Sequence, residues 1–121
     1  MSRQDLLVQL ESVVKTLYVV RNNPVAGRED EFNDWYNQVH LQEVLKIDGF
    51  LSAQRFCLNE VQLVPGQAFR YMALYEIDSQ DVAGTLANLR AATWMNVSDA
   101  IDLDNMDISV FTTVGDQLLS S

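Results

Sequence analysis

Asn22-Asn23-Pro24-Val25-Ala26-Gly27-Arg28-Glu29-Asp30-Glu31-Phe32-Asn33-Asp34-Trp35-Tyr36-Asn37-Gln38-Val39-His40-Leu41-Gln42-Glu43-Val44-Leu45-Lys46-Ile47-Asp48-Gly49-Phe50 joins a strand to a helix and that helix to a second strand. Pro24 and Gly27 interrupt the strand, and Glu29, Asp30 and Glu31 place three carboxylates in the first helical turn, where the helix dipole favours negative charge. Phe32, Trp35, Tyr36 and Val39 share one helical face and should pack on a sheet, with Asn33, Tyr36 and His40 along its edge. At 100° per residue, Leu41, Val44 and Leu45 would point away from that face, so a bend is expected near His40 and a separate short turn over 41–47. Asp48-Gly49 then closes the segment.

Outward from this stretch, Thr16-Leu17-Tyr18-Val19-Val20 is β-branched and aromatic with apolar residues on both faces, the pattern of a central strand. Residues 50–59 read as a second strand, with Leu51, Ala53, Arg55 and Cys57 on one side and Phe50, Ser52, Gln54, Phe56 and Leu58 on the other. Val64-Pro65-Gly66-Gln67 has the Pro-Gly centre of a type II turn, so residues 68–78 form the other arm of a hairpin. In that arm Phe69, Tyr71, Ala73, Tyr75 and Ile77 share a face. Ser79 is placed to cap a helix running to about Met95, an acidic connection follows over 96–105, and residues 106–114 complete the set as a strand. Leu6, Leu7, Leu10, Val13 and Val14 fit a short amphipathic helix, an N-terminal extension over 1–15 preceding a single domain over 16–121.

The order β-α-β-β-α-β closes as an α+β, ferredoxin-like sandwich, an antiparallel sheet with both helices on one face. Its strands are too apolar on both sides for the second face to stay wet, so a homodimer packed sheet to sheet is expected.

A chain of 121 residues holds one ordinary domain, and 48% hydrophobic with 21% charged residues is a folded composition. Eight basic against 17 acidic residues give a formal charge of -9, which repels nucleic acid and anionic membranes. No apolar run could span a bilayer and no basic-then-apolar leader opens the chain, so the expected location is cytoplasmic. Cys57 is the one cysteine and reads as a small buried hydrophobe; with a single His as well, neither a disulfide nor a zinc site is expected. Asp99, Asp102, Asp104 and Asp107 lack the Gly and terminal Glu of a calcium loop and read as a solvated connection.

The run Asn23 to Tyr36, with Val39-His40-Leu41, Gly49-Phe50 and Gln54-Arg55-Phe56, resembles the EthD-like proteins of the dimeric α+β barrel superfamily. Gln42 stands where such relatives usually carry Pro. The resemblance implies a homodimer whose two sheets enclose a barrel, with a small-molecule cavity in each subunit. The superfamily includes quinone-forming monooxygenases, polyketide cyclases, muconolactone isomerases and haem-binding enzymes, so the fold does not decide the reaction.

His40 is the first candidate for acid–base work, because imidazole exchanges a proton near neutral pH without a cofactor. The bland alternative is a histidine that closes the broken helix end. Tyr71 and Tyr75 flank small Ala73 and could bound a flat ligand, or simply fill the core. Arg55 lies mid-strand, where an unpaired charge is costly; it either pairs with Glu43 or Glu76 at a dimer interface or faces a ligand oxygen. Asn22, Asn33 and Tyr36 complete a ligand-binding set around the catalytic candidates His40, Tyr75 and Arg55, while Trp35 and Trp94 read as packing residues. The expected function is cofactor-independent chemistry on an aromatic or polyketide-like carbonyl compound, against a non-catalytic ligand-binding dimer and a haem-binding protein as alternatives.

Overall fold

In the computed structural model, which describes residues 14–121, four strands form one antiparallel sheet in the order β2-β3-β1-β4. β1 (Thr16–Asn22) lies at its centre, hydrogen-bonded to β3 (Tyr71–Ile77) on one side and β4 (Asp107–Thr112) on the other, with β2 (Phe50–Cys57) at the far edge. Helices α1 (Glu29–Trp35), α2 (Leu41–Val44) and α3 (Val82–Ala91) fill the two crossovers. This is the expected ferredoxin-like α+β arrangement. The expected N-terminal helix falls almost wholly outside the described residues. None of the described helices is long and apolar enough to cross a membrane.

Thr16, Val20 and Asn22 of β1 and Ala73, Tyr75 and Ile77 of β3 are buried on one face of the sheet, together with Phe32, Tyr36, Val44 and Ile47. On the opposite face the register aligns Leu17, Val19, Met72, Leu74, Phe56 and Phe111, and Phe56 and Phe111 are exposed at the edges.

The bend expected near His40 takes the form of a π-helical turn over Tyr36–His40, in which the amide of Leu41 donates to the carbonyl of Tyr36 five residues back. The widened turn delays the helical rotation, and Val44, which a straight helix would swing away from the Phe32 face, is buried.

Several local expectations need correction. A register irregularity between Phe50 and Ser52 puts Phe50 opposite Ile77 and Ala53 opposite Tyr75, so Phe50 shares the helix-facing side with Ala53 and Arg55. Strict alternation had separated them; the bulge adds the extra residue. The cap of α3 is Asp81, whose carboxylate accepts from the Gly84 amide at 2.9 Å, and the helix stops at Ala91 rather than near Met95. The acidic connection is not merely solvated: Ala100 and Ile101 are buried, and Ile101 bridges to Pro24. Cys57 is exposed rather than buried, because β2 ends there and the long hairpin begins.

Gly49 opens β2 at φ +100°, and a Cβ there would lie 2.0 Å from Thr85 Oγ1, which itself donates to the Asp81 carbonyl. This contact sets how closely α3 approaches the start of β2. Gly49→Ala combines left-handed strain with that clash and should lower stability by roughly 2–4 kcal/mol, read from the denaturation midpoint.

Candidate functional site

The helix α1, the π-turn and the helix-facing side of the sheet meet at the ring of Tyr36, which is 1% exposed. Phe32 and Trp35 pack against it with centroids at 5.4 and 5.1 Å, and His40 meets it edge-on at 5.0 Å. Its hydroxyl accepts a hydrogen bond from Asn22 Nδ2 at 3.0 Å, and the Arg55 guanidinium carbon stands 4.3 Å from its centroid.

Arg55 is held by amides. Its Nη2 donates to Asn33 Oδ1 at 2.9 Å and its Nη1 to Asn37 Oδ1 at 3.0 Å. Within the chain Arg55 is paired with neither Glu43 nor Glu76, the partners expected for it at a dimer interface. Glu43 turns to the Asn96 amide at 3.1 and 3.2 Å, and Glu76 sits beside Leu17 on the opposite sheet face. From Asn33 the network runs on: Asn33 Nδ2 donates to the Tyr71 hydroxyl at 3.1 Å, Tyr71 donates to Glu29, and Arg70 pairs with Glu29 at 2.7 Å. Asn33, Arg55 and Tyr71 are thus one connected set, joined to Asn22, His40 and Tyr75 through Tyr36.

Tyr71 and Tyr75 share their face with Ala73, and Tyr75 is enclosed by Tyr18 and Phe50 at centroid distances of 5.8 and 5.7 Å. Burial, and then the neighbouring phenol of Tyr36, drives the Tyr75 hydroxyl far above the ordinary tyrosine range, so it stays a proton donor.

His40 stacks on Trp35, centroids 4.6 Å apart and planes 25° from parallel. Trp35 is more than packing: its indole N–H donates to the Asn96 carbonyl at 2.7 Å, and the amide of the same Asn96 is held by buried Glu43. A clasp from Glu43 through Asn96 to Trp35 therefore fixes the face on which His40 lies. Position 96 carries no sequence signal for this role. Burial pushes the imidazole from 6.5 down to about 4; Glu43 opposes the shift and Arg55 adds to it. At neutral pH His40 is an uncharged base, unable to act as the starting acid.

Three buried polar atoms lack a hydrogen-bond partner here: Asn22 Oδ1, His40 Nδ1 and Arg55 Nε. Each belongs to a side chain in contact with Tyr36. Buried polar groups are nearly always satisfied, so three orphans gathered around one ring are unusual. A cavity of about 500 Å3 lies on the hairpin side, with Tyr71, Cys57, Glu29 and Arg70 in its wall, and it touches the network at Tyr71.

His40 is covered by Trp35 on one face and by the Tyr36 edge, and its Nδ1 is buried, so any ligand, haem included, would have to be met by Nε2. Among the described residues no cluster of His, Cys, Asp and Glu could hold a metal ion.

No family model matches the sequence. No curated protein matches it either. Similar solved structures include an ethyl tert-butyl ether D (EthD) family protein from Bacillus halodurans, 13% identical, with a TM-score of 0.51 over 82% of this chain and 97% of that one. A candidate monooxygenase from Shewanella loihica is 11% identical, with a TM-score of 0.49 over 91% of this chain and 100% of that one. HapK from Hahella chejuensis is 17% identical, with a TM-score of 0.43 over 90% and 96%. At these identities the likeness is one of fold, and the EthD family structure carries it.

His40 gives this site a direct readout, since it is the one histidine in the chain. Because its folded pKa lies below the unfolded value, the unfolded chain binds the extra proton between pH 6.5 and about 4. Stability should fall through that window as pH drops, by roughly 3 kcal/mol from this group, and His40→Gln should flatten the dependence in denaturation at several pH values. Trp35→Phe, which loses the indole donor, should move the His40 titration seen by NMR upward toward 6.5, while Trp94→Phe should leave it in place.

Proposed function

We propose that the seam between α1 and the sheet binds a small carbonyl compound and that His40 takes a proton from the carbon beside the carbonyl. In that step a nitrogen of His40 gains the proton, and the C–H electron pair forms the carbon–carbon double bond of an enolate. The negative charge then rests on oxygen, where Arg55 balances it. Return of the proton to the same or another carbon gives exchange or isomerisation, and no cofactor enters the balance. Tyr75, held protonated beside Tyr36, supports that phenol from the core side.

The observation that carries this reading is the trio of unpartnered buried atoms, Asn22 Oδ1, His40 Nδ1 and Arg55 Nε, gathered round Tyr36. The side chains that carry them offer an acceptor, a base and a cationic donor. The low basicity of His40 favours a second reading, a protein that binds such a compound without turnover, since a base of pKa about 4 draws weakly on a carbon acid.

The apolar far face of the sheet, with Phe56 41% and Phe111 57% exposed, supports pairing with a second copy. Sedimentation as a lone subunit at micromolar concentration would remove that part of the proposal.

Proton exchange at the α-carbon of 2-tetralone in D2O, followed by NMR, tests the chemistry. The rate should rise with pH through about 4 and level off toward neutrality, as expected for a base that must be unprotonated. His40→Gln should reduce the protein-dependent rate at least tenfold. An unchanged rate in a folded His40→Gln variant sinks the acid–base role, and binding without acceleration in the parent protein selects the second reading.

A further inference from the structure

Three of the five arginines among the described residues are paired with carboxylates: Arg21 with Asp107, Arg28 with Glu31 and Asp99, and Arg70 with Glu29. Arg90 is exposed to solvent, which can stabilise its charge. Arg55 differs from all of these. It is half-buried, forms no ion pair among the described residues, and gives both terminal nitrogens to the neutral amide oxygens of Asn33 and Asn37.

The groups that act electrostatically on Arg55 are Tyr36, Tyr71, Tyr75 and Cys57, with His40 on the helix side. None is an Asp or Glu. In a chain with 17 carboxylates and a net charge of -9, a counter-ion for this position is not scarce. A half-buried cation left with amides and ring faces carries a desolvation cost that an arriving anion would offset.

We propose that the ligand reaches Arg55 as an anion, a flat aromatic or enolic compound with its negative charge on oxygen. This rests on the reading that the seam is a ligand site, and it names the charge that ligand carries. Arg55 lies opposite Ala73 in the β2–β3 ladder, and the next pair on the same face is Cys57 and Tyr71. Cys57 and Tyr71, one pair along from Arg55 and Ala73, line a cavity of about 500 Å3, a volume suited to a two-ring compound. The guanidinium carbon stands 4.3, 5.1 and 5.2 Å from the centroids of Tyr36, Tyr71 and Phe32, so ring faces surround the charge and would flank a planar ligand. The buried Nε–H has no acceptor in the chain, so the charge of the guanidinium is incompletely balanced by its neighbours.

Naphthalene-2-carboxylate and its neutral counterpart naphthalene-2-carboxamide, each titrated into the full chain by calorimetry, separate charge from shape. The carboxylate should bind at least tenfold more tightly, with a preference that weakens as salt rises. Arg55→Gln should lower the carboxylate affinity at least tenfold more than the carboxamide affinity, removing the preference, and Arg55→Lys should retain part of it. Equal affinities, a preference that survives Arg55→Gln, or no binding of either probe overturns the proposal; should Arg55→Gln fail to fold, a full preference for carboxamide over carboxylate in Arg55→Lys does the same. Loss of 2-tetralone exchange with the charge preference intact would count against His40 as base and leave the anion site standing.

Discussion

The packing of the Arg55 guanidinium on the face of Tyr36 is the contact on which the rest of the site depends. It joins an edge strand to the first helix. A cation in that position loses much of its hydration, and what replaces the water is a ring face together with two side-chain amides. Those amides belong to Asn33 and Asn37, four residues apart and so on one face of the helix. The same geometry that holds the arginine therefore fixes the rotation of the helix over the sheet.

From Tyr36 the constraint spreads in two directions. Through its hydroxyl it reaches Asn22 at the end of the central strand, and through its ring edge it reaches His40. The π-turn is what makes the second contact compatible with a continuous chain: the extra residue in the turn keeps His40 against the site while Val44 remains in the core. His40 then lies between Tyr36 and Trp35, and the Glu43–Asn96–Trp35 clasp ties its burial to a loop that precedes the last strand. The basicity of one imidazole is thus set by residues spread over most of the chain.

Much of this was legible from residue patterns. The alternation of Tyr71, Ala73 and Tyr75, the edge formed by Asn33, Tyr36 and His40, and the bend near His40 all follow from strand and helix periods. Other features were hidden for identifiable reasons. The bulge before Ser52 is one residue of backbone irregularity, and it moves Phe50 to the opposite face from the one strict alternation assigns. Glu43 looked available to Arg55 by type and charge, yet it faces the Asn96 amide on the other side of the helix. Asn96 itself is one polar residue in a loop, and nothing in its neighbours signals that its carbonyl holds an indole.

The sequence by itself determined the order of the elements, the antiparallel sheet with helices in the crossovers, and the residue types able to do chemistry. These depend on periodicity and propensity, which are local. Only the tertiary structure decided which partners those residues have: that Arg55 is met by amides and aromatic faces instead of a carboxylate, that His40 lies between Trp35 and Tyr36 where desolvation lowers its basicity, and that three polar atoms around Tyr36 are left without partners. Hydrogen bonding and desolvation act through space between segments that spacing along the chain does not relate, and so they become visible once the chain is folded.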